Sequence, residues 1–268
     1  MRSRGEETLR ALLFDVDGTL ADTERDGHRV AFNRAFAAAG LDWHWSEELY
    51  GILLKISGGK ERMRYYLENY RYRDAALPRR ELELIPELHA AKNRFYWDML
   101  GNGEIRLRPG VERLLREAHA AGVSLAIATT TTGENVTTLL EHTLGPGSRD
   151  WFALIATADE VADKKPSPAV YRYVLDRLDL RPNECIAFED SENGLAAAHG
   201  VRIPAVITIN DYTHGGDYSA AELVVDHLGD PNRPCRVLGG RAAARIDHAP
   251  YVDLGLLTAL SRTARPEA

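Results

Sequence analysis

The apolar residues of this chain are gathered into short runs, and polar segments separate one run from the next. Each run has the length of a buried strand and ends where the sequence turns polar, which is typical of strands inside a parallel sheet. We therefore predict strands at Leu9 to Phe14, Val123 to Ala128, Trp151 to Ala156, Glu184 to Phe188, Ile203 to Ile209 and Leu223 to Val225.

Between several of these runs, apolar residues recur at the spacing of an amphipathic helix. One such set, which Gly122 closes, consists of Val111, Leu114, Leu115 and Ala118. The alternation of strand and helix predicts an α/β fold, in which a parallel sheet carries helices on both faces. The tail from Gly229 has the least regular pattern, and a closing helix is expected over Tyr251 to Leu260.

One segment interrupts the alternation directly after the first predicted strand. From Asp22 to about Glu104 the pattern is helical, and the strand pattern resumes near Arg106. A block of this size predicts a helical insertion. We therefore expect a core formed by residues 1–21 and 106–268, and an α-helical cap formed by residues 22–105.

Composition and charge narrow the classes of protein. The 33 basic and 40 acidic residues give a net charge of −7, which argues against a nucleic-acid-binding protein because such proteins need a basic surface. Two unpatterned cysteines, Cys185 and Cys235, predict neither a disulfide framework nor a zinc site. There is no signal-peptide pattern and no run of apolar residues long enough to span a bilayer. We expect a cytoplasmic monomer without nucleic-acid or membrane partners.

Polar side chains follow several predicted strands at their carboxyl ends. In an open parallel sheet, ligands bind outside these ends, so we expect the side chains to converge on one edge. The set consists of Asp15, Asp17, Thr129, Glu189, Asp190 and, in a loop between a strand and a helix, Lys165.

These groups suit the transfer of a phosphoryl group. Clustered carboxylates repel one another unless a cation holds them, and their hard oxygen atoms suit Mg²⁺. One carboxylate can attack phosphorus, and a second can act as acid and base. Lys165 and Thr129 would stabilise the charge on the transferring group. Taken alone, however, Asp15 and Asp17 are equally consistent with a turn, and Glu189 with a charge at a helix start.

The local motifs sharpen this interpretation. Residues 14–20, Phe-Asp-Val-Asp-Gly-Thr-Leu, resemble the D-x-D-G-T/V signature of the haloacid dehalogenase superfamily. Its three other motifs are similar to segments that follow in the family's order, namely Ala126 to Thr129, Lys164 to Pro168 and Phe188 to Ser191. The resemblance implies a Rossmann-like core, an inserted helical cap that closes over small substrates, and Mg²⁺ as the cofactor.

The resemblance also implies a role for each motif residue. Asp15 would be the nucleophile and a metal ligand, and Asp17 the acid and base, with its backbone carbonyl on the metal. Asp190 would be a further metal ligand, with Glu189 beside it as an outer ligand. Thr129 and Lys165 would hold the phosphoryl group. Lys165, which precedes Pro166, matches the lysine motif better than Lys164 does.

A closer resemblance extends over nearly the whole chain. Several segments look like those of the CbbY proteins, among them residues 23–24, 31–33, 41–45, 58–62, 189–194, 206–212 and 251–253. CbbY proteins accompany the Calvin cycle, and their activity is to remove one phosphate from xylulose-1,5-bisphosphate, an inhibitor of Rubisco. The resemblance therefore implies a sugar-bisphosphate phosphatase.

A bisphosphate needs a second anion site, and one segment of the predicted cap suits it. Paired glycines allow close approach of the backbone, and the start of a helix offers free N–H groups to an anion. The segment consists of Gly58, Gly59, Lys60, Glu61 and Arg62, and Arg62 can bind two oxygens at once. Glu24 resembles the family's contact to a sugar hydroxyl. A plain helix start with surface charges is the alternative interpretation of this segment.

Some features depart from the family pattern or leave alternatives open. Glu24 and His28 are one residue further apart than is usual, so His28 is better explained by packing. Thr129 begins a run of threonines, which makes Thr130 and Thr131 additional candidates for substrate binding. Thr131 is favoured because a period of two places it on the same face as Thr129.

Two other functions are compatible with the same motifs. A sugar-phosphate mutase of the β-phosphoglucomutase sort shares them all and differs in residues of the cap. A regulator that binds sugar phosphates without turning them over would have no need for the intact set of Asp15, Asp17, Lys165 and Asp190. A dinucleotide-dependent dehydrogenase is disfavoured, because no G-x-G-x-x-G follows the first predicted strand.

Overall fold

The computed structural model describes residues 9–56, 58–73, 75–245 and 250–263. The chain divides into two compact units. The first unit consists of Met1–Asp22 and Arg106–Ala268, and the second of Thr23–Ile105. Residues 1–8, 246–249 and 264–268 of the predicted core and residues 57 and 74 of the predicted cap lie outside the described residues.

A seven-stranded sheet forms the centre of the first unit. Its strands are β1 (Ala11–Phe14), β2 (Ser124–Ala128), β3 (Phe152–Ala156), β4 (Cys185–Glu189), β5 (Ala205–Thr208), β6 (Leu223–Val225) and β7 (Val237–Gly239). They lie in the order β3-β2-β1-β4-β5-β6-β7. All neighbours pair in parallel except β7, which is antiparallel to β6. The prediction of a mostly parallel sheet is confirmed, and β7 is an addition that the sequence pattern did not indicate.

Helices connect the strands and form the second unit. In the described residues the α-helices are α1 (Arg29–Ala38), α2 (Glu47–Leu53), α3 (Gly59–Tyr66), α4 (Arg79–Gly101), α5 (Val111–Ala120), α6 (Gly133–Leu144), α7 (Ala169–Leu178), α8 (Glu192–His199) and α9 (Leu254–Thr263). None of these helices is long and apolar enough to cross a membrane.

The core of the first unit lies against the sheet. Buried side chains of α7 and α8, such as Val174 and Leu195, pack with Leu13 of β1 and Ala187 of β4 in one hydrophobic cluster. The buried faces of α5 and α9 contact β2 and β4. Helices therefore flank the sheet, as the alternating pattern predicts.

The second unit is helical and has an aromatic core of its own. Phe32 and Phe36 of α1 pack against the indole of Trp45 at ring-centre distances of 4.6 and 5.0 Å. Asn33 fixes this tryptophan by accepting from its backbone N–H (2.8 Å) and donating to its carbonyl (2.9 Å). Ser46 caps α2, because its side chain accepts from the backbone N–H of Leu49 at 3.2 Å.

Candidate active site

The register of the sheet brings the polar strand ends together. Phe14, the last residue of β1, pairs with Ile127 of β2 on one side and with Phe188 of β4 on the other. The backbone N–H of Asp15 donates to the carbonyl of Phe188 at 3.0 Å. Asp15 therefore leaves the middle of the sheet at the edge where Thr129 and Glu189 also lie.

A buried lysine joins two of the carboxylates at this edge. The Nζ atom of Lys165 lies 2.7 Å from Oδ1 of Asp15 and 2.6 Å from Oε1 of Glu189. Burial alone would lower the pKa of Lys165, but the two negative charges outweigh it and raise the pKa above its ordinary value. Its neighbour Lys164 is exposed. Of the two lysines in the motif, the second is thus the one that reaches Asp15.

Three carboxylates lie close enough to share a cation. Asp15, Glu189 and Asp190 each offer an oxygen, and these atoms lie within 4.8 Å of one another. Burial raises the pKa of Glu189 to about 7, against the pull of Lys165. Burial and the charges of the other two carboxylates raise the pKa of Asp190 well above its ordinary value. The group therefore fits a small divalent cation, which prefers oxygen ligands and would relieve the repulsion.

Two glycines make room for these carboxylates. Gly18 has φ +81°, and a Cβ atom there would collide with the carboxylate of Asp190. A Cβ atom at Gly194, in α8, would collide with the carboxylate of Glu189. Close packing around the acidic group thus requires glycine at positions 18 and 194. The backbone conformation of Gly18 is a second reason for glycine at that position.

The remaining core candidates lie at the same edge in different environments. Thr129 is buried, and its Oγ1 atom accepts from the backbone N–H of Thr131 at 3.4 Å. Thr131 is half-buried, whereas Thr130 is exposed. Asp17 is half-buried in the turn after β1 and forms a backbone bridge with Ala21. Its expected contribution to a metal is a backbone carbonyl, and its carboxylate is not one of the three that cluster.

Two residues that the sequence analysis did not single out support the acidic group. The hydroxyl of Tyr171, buried in α7, donates to Oε1 of Glu189 at 2.5 Å. The amide of Asn210 donates to Oδ2 of Asp190 at 2.7 Å. Asn210 follows the apolar run of β5, so the strand-end rule already pointed to it. Tyr171 gave no such signal, because its ring occupies an ordinary core position of a helix.

In the second unit, two of the predicted site residues, Glu24 and Arg62, belong to one chain of hydrogen bonds through Tyr50. The hydroxyl of Tyr50 donates to Oε2 of Glu24 at 2.6 Å and accepts from Nη1 of Arg62 at 2.8 Å. Arg62 is buried, and its Nε atom donates to the carbonyl of Leu53 at 3.1 Å. These contacts fix the guanidinium in place and use two of its nitrogen atoms on protein acceptors.

Further basic side chains of the second unit lie near the hydrogen-bonded group of Glu24, Tyr50 and Arg62. Lys60 is exposed at the start of α3, next to Gly58 and Glu61, which are also exposed. Gly59 packs against the ring of His89. Burial and then Lys92, Arg62 and His89 lower the pKa of His28 well below its ordinary value. Burial, Lys92 and Lys60 likewise lower the pKa of His89. Lys60, Arg62 and Lys92 thus bring positive charges close to these histidines, and such charges attract an anion.

His28 itself is held by packing. Its Nδ1 atom lies 2.9 Å from Nζ of the buried Lys92, and its ring lies 4.1 Å from that of Tyr96. This arrangement agrees with the packing role expected for His28.

Comparison with known proteins relates both units to one family. A protein-family model described as haloacid dehalogenase-like hydrolase matches residues 9–202. A plasmid-encoded CbbY protein of Cupriavidus necator is 49% identical over 228 residues, which is 84% of this chain and 88% of that protein.

Two solved structures are similar as well. A variant of CbbY from Rhodobacter sphaeroides, in complex with xylulose-1,5-bisphosphate, is 41% identical with a TM-score of 0.69, and the match covers 88% of this chain and 98% of that one. A candidate β-phosphoglucomutase from Thermotoga maritima is 25% identical with a TM-score of 0.60, over 79% of this chain and 89% of that one.

Proposed function

Because this chain belongs to the haloacid dehalogenase-like hydrolases, as a phosphoric monoester hydrolase of the CbbY type, we propose that it removes one phosphate from xylulose-1,5-bisphosphate. The observation that carries the proposal is the buried group in which Lys165 bridges Asp15 and Glu189. The bisphosphate bound to the similar CbbY structure supports the choice of substrate. The proposed setting is the cytoplasm, alongside the Calvin cycle.

The proposed chemistry has Asp15 as the nucleophile, and the contact of Asp15 with Lys165 supports it. A carboxylate oxygen of Asp15 forms a bond to phosphorus as the bond from phosphorus to the sugar oxygen breaks. Asp17 donates its proton to the departing oxygen and then takes a proton from the water that attacks the aspartyl-phosphate. Phosphate leaves, and Asp15 returns to its carboxylate form. Lys165 and Thr129 hold the oxygens of the phosphoryl group while it is transferred.

We propose Mg²⁺ as the cofactor of this site. The carboxylates of Asp15 and Asp190 and the backbone carbonyl of Asp17 would hold it, with Glu189 as an outer ligand. When bound, Mg²⁺ supplies neutralisation of the charge on the phosphoryl oxygens.

The second phosphate of the substrate requires an anion site of its own. We assign it to the basic residues of the second unit, where Lys60 is exposed at the start of α3. Helix N–H groups from Gly59 to Glu61 add donors there. Glu24, whose carboxylate accepts from Tyr50, would accept from a hydroxyl of the sugar.

Phosphate release across a panel of sugar phosphates tests this function. With Mg²⁺ present, we expect the highest kcat/KM on xylulose-1,5-bisphosphate and the loss of all turnover when EDTA removes the metal. A monophosphate of the same sugar serves as the control for the second anion site. Equal kcat/KM on mono- and bisphosphates would contradict the proposal.

The similarity to the candidate mutase makes a second function worth testing. A mutase would convert β-glucose-1-phosphate to glucose-6-phosphate without net release of phosphate. Conversion without release, detected by ³¹P NMR, would replace the phosphatase proposal with the mutase.

A further inference from the structure

Arg108, which precedes α5 in the chain, makes several polar contacts through its guanidinium. It is buried, and its guanidinium donates to main-chain carbonyls that come from separate loops at the carboxyl edge of the sheet. The acceptors are the carbonyls of Gly18, Thr208 (2.9 Å), Ile209 (2.6 Å) and Asp226 (2.8 Å), together with Oγ1 of Thr208 (3.0 Å). Its Nε atom forms an ion pair with Oδ1 of Asp22 at 3.3 Å.

The contact to Gly18 connects Arg108 with the turn that carries Asp15 and Asp17. The conformation of this turn is unusual, because Gly18 has a positive φ and donates its N–H to the carbonyl of Ala21 at 2.8 Å. The Gly18 carbonyl accepts from the guanidinium of Arg108. A rigid, planar group with several donors is well suited to fix such a carbonyl in one orientation.

Asn210 extends the same network to the second acidic loop. Its Nδ2 atom lies 3.4 Å from the carbonyl of Gly18 and 2.7 Å from Oδ2 of Asp190. Its orientation is set by the backbone N–H of Tyr212, which donates to Oδ1 at 2.9 Å. One carbonyl, that of Gly18, is thus shared by Arg108 and Asn210, and Asn210 passes the contact on to Asp190.

We propose that Arg108 and Asn210 are positioning residues, which hold the turn of Asp15 and Asp17 at a fixed distance from the carboxylate of Asp190. The inference rests on the proposed function, since it concerns the metal affinity and turnover of the same site. Neither residue touches the reacting atoms. Groups that orient the ligands of a metal set its affinity, because each ligand then needs no rearrangement on binding.

The test compares Arg108→Lys with Arg113→Lys, each titrated with Mg²⁺ from the metal-free state and assayed for turnover with Mg²⁺ present. Arg113 is a matched control, because it also donates to carbonyls of the first unit, those of Gly229 (2.9 Å) and Val252 (2.8 Å), and no described contact links it to the acidic group. Isothermal titration calorimetry gives the Kd for Mg²⁺, and steady-state kinetics give kcat and KM. Thermal unfolding gives the loss of stability.

We expect Arg108→Lys to raise the Kd for Mg²⁺ and to lower kcat by about tenfold or more each. The KM for the phosphate ester should change little, because the buried guanidinium of Arg108 is engaged with backbone carbonyls. Arg113→Lys should lower the melting temperature alone. Asn210→Ala should repeat the effect of Arg108→Lys on the Kd for Mg²⁺ and on kcat. In the double variant, each fold-change should be smaller than the product of the two single fold-changes, because both residues hold the same carbonyl.

A lowered melting temperature for Arg108→Lys with the wild-type Kd for Mg²⁺ and the wild-type kcat would overturn the proposal. Should Arg108→Lys not fold, Asn210→Ala decides by the same measurements, and an unchanged Kd for Mg²⁺ overturns it. A wild-type protein that binds Mg²⁺ but does not hydrolyse xylulose-1,5-bisphosphate would refute the proposed substrate, while the Kd values would still decide the role of Arg108.

Discussion

Lys165 and Asp15 lie 150 residues apart in the chain, yet the Nζ atom of the one is 2.7 Å from Oδ1 of the other. Both side chains are buried, and Glu189 completes the group on the other side of the lysine. Parallel pairing of β3 with β2, of β2 with β1 and of β1 with β4 makes this arrangement possible, because the carboxyl ends of these strands and the loop after β3 then lie at one edge. Lys165 is therefore part of the same site as Asp15, the proposed nucleophile.

Replacement of Lys165 should lower both kcat and the free energy of unfolding. Lys165→Met keeps the length of the side chain and removes its charge. We expect kcat to fall by about 100-fold or more, as when an oxyanion donor is removed. Because two buried carboxylates lose their partner, the free energy of unfolding should fall by about 3 kcal/mol.

Its neighbour provides the control for this measurement. Lys164→Met removes the same charge from an exposed side chain, so kcat and the melting temperature should stay near the wild type. If the two variants lost turnover equally, the buried lysine would not be the group that acts on the phosphoryl group.

Asp15→Asn tests the nucleophile directly. Asparagine keeps the volume and one acceptor oxygen of Asp15 but cannot attack phosphorus, so we expect turnover to vanish while the fold persists. Circular dichroism checks the fold, and calorimetry with the bisphosphate checks whether the ligand still binds. Substantial turnover in a pure sample of the variant would remove Asp15 from its role.

Much of the fold could be predicted because it depends on local patterns. Long apolar runs such as that of β5 identify buried strands without knowledge of the tertiary structure. β7 escaped prediction since Val237–Gly239 is only a short, partly exposed stretch in a tail rich in Gly and Arg. The closing helix, expected over Tyr251 to Leu260, begins at Leu254 instead, because Asp253 caps it by accepting from the N–H of Leu256 at 2.7 Å.

Some residues of the candidate site could likewise be predicted from the sequence, and others could not. Residues that follow strands, such as Asp15 and Glu189, could be predicted from the sequence because topology forces them to one edge. Tyr171 could not, because a buried tyrosine at helical spacing looks like any other core residue until its hydroxyl finds a carboxylate. The contact between Arg108 and Gly18 depends on the packing of distant loops, which no local pattern encodes.

Removal of one hydroxyl tests the support of Glu189. Tyr171→Phe deletes the donor that lies 2.5 Å from Oε1 of this carboxylate. Hydrogen bonds to buried charged groups contribute about 1.5–3 kcal/mol, so a loss of stability in this range is expected. Glu189 and Lys165 would also lose their fixed orientation, and kcat should fall by about tenfold with little change in KM.

Tyr173→Phe in the same helix is the matched control. Tyr173 is half-buried and packs beneath Arg177, with 5.7 Å between the guanidinium carbon and the ring centre. Loss of the Tyr173 hydroxyl should change the free energy of unfolding by less than about 0.5 kcal/mol. A kcat for Tyr171→Phe equal to that of this control would show that the hydroxyl does not orient the site.

His28 should make the protein sensitive to mild acid. Burial, the neighbouring cations Lys92 and Arg62, and His89 lower its pKa in the folded state. Below the ordinary pKa of about 6.5, the unfolded chain therefore binds a proton that the folded chain rejects, and stability falls as the pH falls. We expect His28→Gln to lose less melting temperature than the wild type between about pH 7.5 and about pH 5.5.

His44 is an exposed histidine of the second unit and provides the control. The melting temperature of His44→Gln should depend on pH as that of the wild type does. Part of the dependence should also survive in His28→Gln, because burial lowers the pKa of His89 in the same direction. Identical pH dependence in the wild type and His28→Gln would mean that other groups account for the acid sensitivity.

A substitution of Lys60 tests how the second phosphate of a bisphosphate is bound. If it binds the second phosphate, Lys60→Ala should raise the KM for the bisphosphate by about tenfold or more, because a charge-assisted contact is lost. The KM for the monophosphate should stay the same, since that ligand has nothing to place there. Lys55→Ala removes another exposed lysine of the second unit and should leave both KM values unchanged. An equal rise for both substrates would mean that Lys60 contributes general attraction for anions, and the second phosphate would then need a different site.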